Sequence, residues 1–130
     1  MNTLKIIVLA FFFISTVANS QDQSTETQCS IAHEGTFTYG NSKMQITISR
    51  TKNKQVDKIL YKGTAFYLYS DIEWLNDCEY NITMISSTLP NFRKQPGDVL
   101  NVKINKIEGK HIYYTTSFKG EAKEYKMTKQ

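Results

Sequence analysis

From Gly35 to the C-terminus, apolar and polar residues alternate with a period of two, in runs broken by Gly, Asn and Asp. That is the pattern of strands joined by hairpins, and helical spacing is sustained nowhere. Each turn can be tested by asking whether it sets apolar side chains opposite one another, because a one-residue slip sends a strand's whole apolar set to the wrong face. A two-residue turn at Asn41-Ser42 would set Tyr39 against Met44 and Phe37 against Ile46. One at Asn53-Lys54 would set Ile48 against Ile59, Ile46 against Tyr61, and Arg50 against Asp57 as a cross-strand charge pair. A three-residue turn at Asn76-Asp77-Cys78 pairs Trp74 with Tyr80 and Ile72 with Ile82. Another at Glu108-Gly109-Lys110 pairs Leu100 with Phe118, Val102 with Thr116 and Ile104 with Tyr114. A turn at Lys119-Gly120 then pairs Tyr114 with Tyr125 and Ile112 with Met127. The last two turns agree on which face of the middle strand is inward, which favours a meander.

The pattern predicts an all-β chain of about eight strands in an antiparallel up-and-down meander. Closing such a meander into a barrel removes its exposed edges. A two-sheet β-sandwich is the alternative with the same local patterning. The domain is expected over residues 34–130. Residues 86–98, with Pro90, Pro96 and Gly97, have no periodicity. Leu89 and Phe92 in this stretch are expected to plug one barrel end, or else to form a lid over it.

The first residues follow another logic. Lys5 precedes an uninterrupted apolar run, Ile6 to Ile14, and Ala18 and Ser20 supply small residues two apart. This predicts a signal peptide over residues 1–20, because the run is shorter than the roughly 20 apolar residues of a membrane span. Cys29 stands too far beyond the cleavage point to carry a lipid anchor. Residues 21–33 read as a polar leader. Localisation is therefore expected to be periplasmic or extracellular, with no transmembrane segment after signal removal. In an oxidising compartment Cys29 and Cys78 would form one disulfide, contributing around 3–4 kcal/mol in the chain-entropy model. Shared metal binding is the alternative, though two Cys without a His pair make a poor zinc site. The chain carries sixteen Lys and Arg against twelve Asp and Glu, and this mild excess has no clustering of the kind nucleic-acid binding needs.

No catalytic motif emerges. His33 and His111 have no signature spacing to Cys or carboxylates, and there is no Gly-x-Ser-x-Gly elbow. Glu73, Asp77 and Glu79 flank Trp74, but the proposed register turns Glu73 and Glu79 to solvent. Tyr67, Tyr69 and Tyr113 fall on the outward parity and could form a surface patch. No cofactor and no metal are implied.

The chain has a Cys shortly before Gly35-Thr36-Phe37, then Ile48-Ser49-Arg50-Thr51, Ile72-Glu73-Trp74-Leu75-Asn76-Asp77-Cys78-Glu79-Tyr80, and Gly97-Asp98-Val99-Leu100 leading into Lys103-Ile104. This arrangement resembles a group of short exported proteins of Bacteroidetes-type bacteria across nearly the whole mature chain. The resemblance implies a Cys29–Cys78 pairing but no activity or ligand. Gly35-Thr36-Phe37 opening a meander is also similar to the Gly-x-Trp start of lipocalin-like barrels, with Phe37 where Trp is expected. The leading expectation is a non-enzymatic barrel with Met44, Ile46, Trp74, Tyr80, Ile82 and Tyr114 around a site for a small apolar ligand. Two others follow: an envelope protein–protein interaction domain with a solid core, and, last, an envelope hydrolase using Glu73 or Glu79.

Overall fold

The computed structural model describes residues 28–92 and 94–130. The expected signal peptide, and the leader up to residue 27, lie outside the described residues. Eight antiparallel strands run up and down and close into a barrel. They are β1 (Gly35–Gly40), β2 (Met44–Arg50), β3 (Lys54–Tyr61), β4 (Thr64–Asn76), β5 (Glu79–Ser87), β6 (Val99–Glu108), β7 (His111–Phe118) and β8 (Glu121–Lys129). Each strand pairs with the next, and β8 returns to β1. A 3-10 turn, Ser30–Ala32, precedes β1.

Four hairpins reflect turn chemistry that can be read directly. Lys62-Gly63 and Lys119-Gly120 both have positive φ at each central residue (49° and 76°, 47° and 80°), the mirror-image turns whose twist matches that of paired strands. The second sets Tyr114 opposite Tyr125 and Ile112 opposite Met127, as expected. Trp74 faces Tyr80 and Ile72 faces Ile82 across the β4–β5 turn. Val102 faces Thr116 and Ile104 faces Tyr114 across β6–β7.

The first two hairpins correct the expected register by two residues. Phe37 faces Ile48 and Tyr39 faces Ile46, not Ile46 and Met44. Asn41 is not at the centre of its turn but at the first position. There its side-chain oxygen accepts the backbone N–H groups of Lys43 (2.9 Å) and Met44 (3.1 Å). An Asn that caps a turn in this way moves the turn centre one residue along, and the register by two. Gly40 permits the closure, since a Cβ there would lie 2.1 Å from the Met44 carbonyl oxygen. A displacement of the same size in the opposite direction occurs at the next turn, where the Thr51 N–H donates to the Lys54 carbonyl at 3.0 Å and the centre falls at Lys52-Asn53. Arg50 therefore faces Gln55, and Asp57 faces Ile48. A shift of two preserves face parity, so the inward set survives the correction.

The two barrel ends differ. At one end, Cys29 and Ala32 are fully buried with Phe37, Ile112 and Met127. From Cys29 onward, then, the segment expected as a leader is packed into the barrel. It is pinned covalently, because Cys29 is bonded to Cys78 in the β4–β5 turn. Lys129 Nζ also donates to the Ile31 carbonyl at 2.8 Å and lies 5.8 Å from the centre of the Phe37 ring. This matters because the β1–β8 seam is short, with Phe37–Lys129 and Thr38–Thr128 as its paired positions. At the other end, residues 88–98 cross between β5 and β6. Thr88 exchanges hydrogen bonds with the Tyr67 backbone, and Gly97 N–H donates to the Met84 carbonyl. Leu89 packs against the core, but the loop does not fill the interior.

Opening the disulfide releases the closed end and restores the entropy of a loop with a sequence separation of 49. Reduction is expected to lower unfolding free energy by about 2–5 kcal/mol. Phe37→Ala, which empties the centre of the same end, should cost about 3–5 kcal/mol. Urea unfolding followed by circular dichroism, with and without reductant, measures both.

Candidate functional site

Between the closed end and the 88–98 loop the barrel encloses a cavity of about 450 Å³. Inward positions of the strands line it, and Leu89, Phe92 and Lys94 complete its wall at the loop end. Of the residues expected to face a ligand, Met44, Ile46, Tyr80, Ile82 and Tyr114 are brought together around this space. Trp74 is not among them. Its parity is inward, but it lies near the closed end, with its ring centre 4.0 Å from His33 and 4.6 Å from Tyr80. Trp74 thus packs against the segment before β1 and against Tyr80, and does not line the cavity. His33 Nε2 donates to the Asp77 carbonyl at 2.8 Å, so this histidine fastens the segment to the β4–β5 turn.

The cavity floor carries Arg50 and Asp57, which the sequence reading set opposite one another as a cross-strand charge pair. Arg50, Gln55 and Asp57 occupy inward positions and are 4 to 6% exposed. Arg50 donates from Nε and Nη2 to Gln55 Oε1 (2.9 and 2.7 Å), from Nη2 to the Tyr80 hydroxyl (2.8 Å), and from Nη1 to the Ala32 carbonyl (2.7 Å). Its guanidinium also lies 5.3 Å from the centre of the Phe37 ring and 4.7 Å from that of Tyr80. Gln55 Nε2 in turn donates to Asp57 Oδ1 at 2.7 Å. Gln55 thus stands between the two charges as a relay, a consequence of the two-residue register correction.

Asp57 is the less compensated of the two. Burial pushes its pKa from 3.8 up to about 6, against the lowering effects of the Gln55 hydrogen bond and the Arg50 charge. Tyr39 and Tyr114 also line the cavity, and their hydroxyls make no hydrogen bond with another described residue. Burial, followed by neighbouring charge, raises both tyrosines. Tyr80 is raised by burial, with Arg50 opposing.

The remaining candidates lie outside this site. His111 Nδ1 is 2.9 Å from the Thr128 hydroxyl on the exposed face. Glu73 is exposed, while Glu79 accepts a hydrogen bond from Asn101 Nδ2 at 3.0 Å. Tyr67 and Tyr69 stack on the exterior, with Tyr69 exposed and Tyr67 half-buried. Among the described residues no cluster of His, Cys, Asp and Glu could hold a metal ion. No helix there is long and apolar enough to cross a membrane. Comparison with protein-family models, curated proteins and solved structures finds no match to this chain.

Sequence reasoning missed Arg50, Gln55, Asp57 and Tyr39 as a group. The signal was present: Ile46-x-Ile48-x-Arg50 and Gln55-x-Asp57-x-Ile59 place polar side chains on apolar faces. A polar group on an inward face is the informative exception in a strand.

Because the folded state holds the Asp57 proton more tightly than the unfolded chain, stability from this group is greatest below about pH 4. It is lost as pH rises toward about 6. Asp57→Asn is expected to raise stability at pH 7 by on the order of 2 kcal/mol and to flatten the dependence between pH 4 and 6. Arg50→Ala leaves Asp57 buried without its countercharge and should cost about 3–5 kcal/mol. Urea titrations of the three proteins across that pH range read out both effects.

Proposed function

We propose that this chain is an exported, non-enzymatic barrel of lipocalin-like form that takes up a small, largely apolar molecule in its interior. The cavity of about 450 Å³ carries this reading. Its volume falls within the roughly 300–1,000 Å³ typical of small-molecule sites, and eight-stranded barrels can hold one small ligand. The wall is largely aliphatic and aromatic, with Arg50, Gln55 and Asp57 at the floor and Lys94 at the loop end. Export is supported by the apolar run of residues 6–14 and by the Cys29–Cys78 bond. The interaction-domain alternative presupposes a solid core, which a hollow half does not provide. The hydrolase alternative needs Glu73 and Glu79 in a cleft, whereas Glu73 is exposed and Glu79 pairs with Asn101.

Trp74 lies away from the cavity, so its emission is a poor reporter of occupancy. The neutral, solvatochromic probe prodan serves instead. It is expected to bind saturably with blue-shifted emission. Ile82→Trp, which places an indole in the cavity, should weaken that binding at least tenfold without altering the β-sheet circular dichroism. Prodan that shows no saturable shift, or that binds the variant as it binds the wild type, overturns the reading.

A further inference from the structure

The polar floor of the cavity has a chemical sense of its own. Arg50 is a poor ligand contact, because Gln55, Tyr80 and the Ala32 carbonyl take four hydrogen bonds from its five N–H donors and two rings flank it. What remains toward the cavity is the Asp57 carboxylate, with one oxygen bound to Gln55, and the hydroxyls of Tyr39 and Tyr114. These groups accept hydrogen bonds, and the tyrosine rings offer negative faces. A carboxylate, hydroxyl acceptors and aromatic faces together suit an ammonium group. Lys94 lies across the cavity at the loop end, 5.5 Å from the centre of the Phe92 ring and 5.6 Å from that of Phe118.

We propose that the cavity selects an amphiphilic amine, with its protonated nitrogen against Asp57 and its hydrocarbon body along Ile46, Ile59 and Ile82. This deepens the small-molecule reading and rests on it. The opposite orientation, a carboxylate held at the loop end by Lys94, is the rival. It leaves Asp57 with only the Gln55 hydrogen bond and the more distant Arg50 charge, which do not offset its burial.

The arrangement makes binding depend on pH through one group. Asp57 is faced by Arg50 from β2, Tyr39 from β1, Tyr80 from β5 and Tyr114 from β7, with Tyr125 of β8 stacked on Tyr114. Burial keeps Tyr39, Tyr80 and Tyr114 neutral at ordinary pH, and both histidines lie elsewhere. Protonating Asp57 therefore removes the counter-ion and leaves the apolar wall unchanged.

Calorimetric titration of the disulfide-intact chain with octylamine, octanol and octanoate tests this. At pH 7.5 octylamine is expected to bind at least tenfold more tightly than octanol or octanoate. Its affinity should fall about tenfold at pH 5, as Asp57 with its pKa of about 6 takes up a proton, while that of octanol stays constant. Asp57→Asn should reduce octylamine to the level of octanol and abolish the pH dependence. Tyr39→Phe should weaken octylamine several-fold and leave octanol unaffected. No heat with octylamine, a preference for octanoate, or an unchanged Asp57→Asn variant overturns the proposal. Prodan separates the two levels. If prodan binds and octylamine merely equals octanol, the cavity reading stands and the amine fails. If neither prodan nor any of the octyl compounds binds, the small-molecule reading fails and the amine proposal fails with it.

Discussion

The structure depends on satisfying one buried cation. Arg50, at the end of β2, is 4% exposed, and a guanidinium in that position is tolerable only when its donors find acceptors. Those acceptors come from three separate places: the segment before β1, strand β3 and strand β5. One charge therefore ties the closed end to the barrel wall, holds Gln55 inward and fixes the Tyr80 hydroxyl. The flanking rings of Phe37 and Tyr80 add cation–π attraction where water is excluded. The disulfide reinforces the same junction from the other side, since Cys29 belongs to the segment whose Ala32 carbonyl receives Arg50.

A solid end of this kind makes a hollow half affordable. Phe37, Ile112 and Met127 fill the barrel near the closed end and are nearly inaccessible to water, whereas Met44, Phe66 and Leu100 toward the other end are only half-buried. The loop after β5 does not restore the missing packing. β5 pairs with β6 only from Glu79 to Thr83, and beyond that point the Met84 backbone is met by Gly97 and Asp98 of the loop. Leu89 reaches the core from this loop, while Phe92 and Lys94 stand at the cavity wall. The cavity therefore lies beside a stretch where β5 is joined to the loop rather than to the ladder of β6.

The fold was legible because β-strand parity is robust to the errors that turn reading makes. Treating Asn41 as a turn centre and Asn53-Lys54 as a turn pair displaced two registers. Each displacement was two residues, so Phe37, Ile46, Ile48 and Ile59 kept their faces. The later hairpins kept their expected pairs, and Lys119-Gly120 kept its expected turn. Asn76 pairs with Glu79 and Glu108 with His111, however, so those two turns are one residue shorter than expected, and a bulge in the preceding strand restores the register. The site was less legible for the same reason. Whether Arg50 meets Asp57 directly or through Gln55 depends on that two-residue step, which alternation cannot detect. Trp74 illustrates a second limit. Parity places a side chain inside the barrel but says nothing of depth, and its depth is set by a turn of chain before β1 that carries no periodic signal.

Asp57 is where stability and use diverge. A direct ion pair with Arg50 would have compensated it more fully than the Gln55 relay does, as its upward-shifted pKa records. An apolar residue of similar size at an inward position beside Ile48 and Leu68 would remove the desolvation cost altogether. The hydrogen bonds of Arg50 run to Gln55, Tyr80 and Ala32 and none reaches Asp57, so its charge compensates the carboxylate only in part. The remaining direction open to the carboxylate is the cavity, where two tyrosine hydroxyls stand without a hydrogen-bond partner among the described residues. In the proposed reading, this destabilised charge facing the cavity is organised in advance for an ammonium group, and binding would recover part of the desolvation cost that folding incurred.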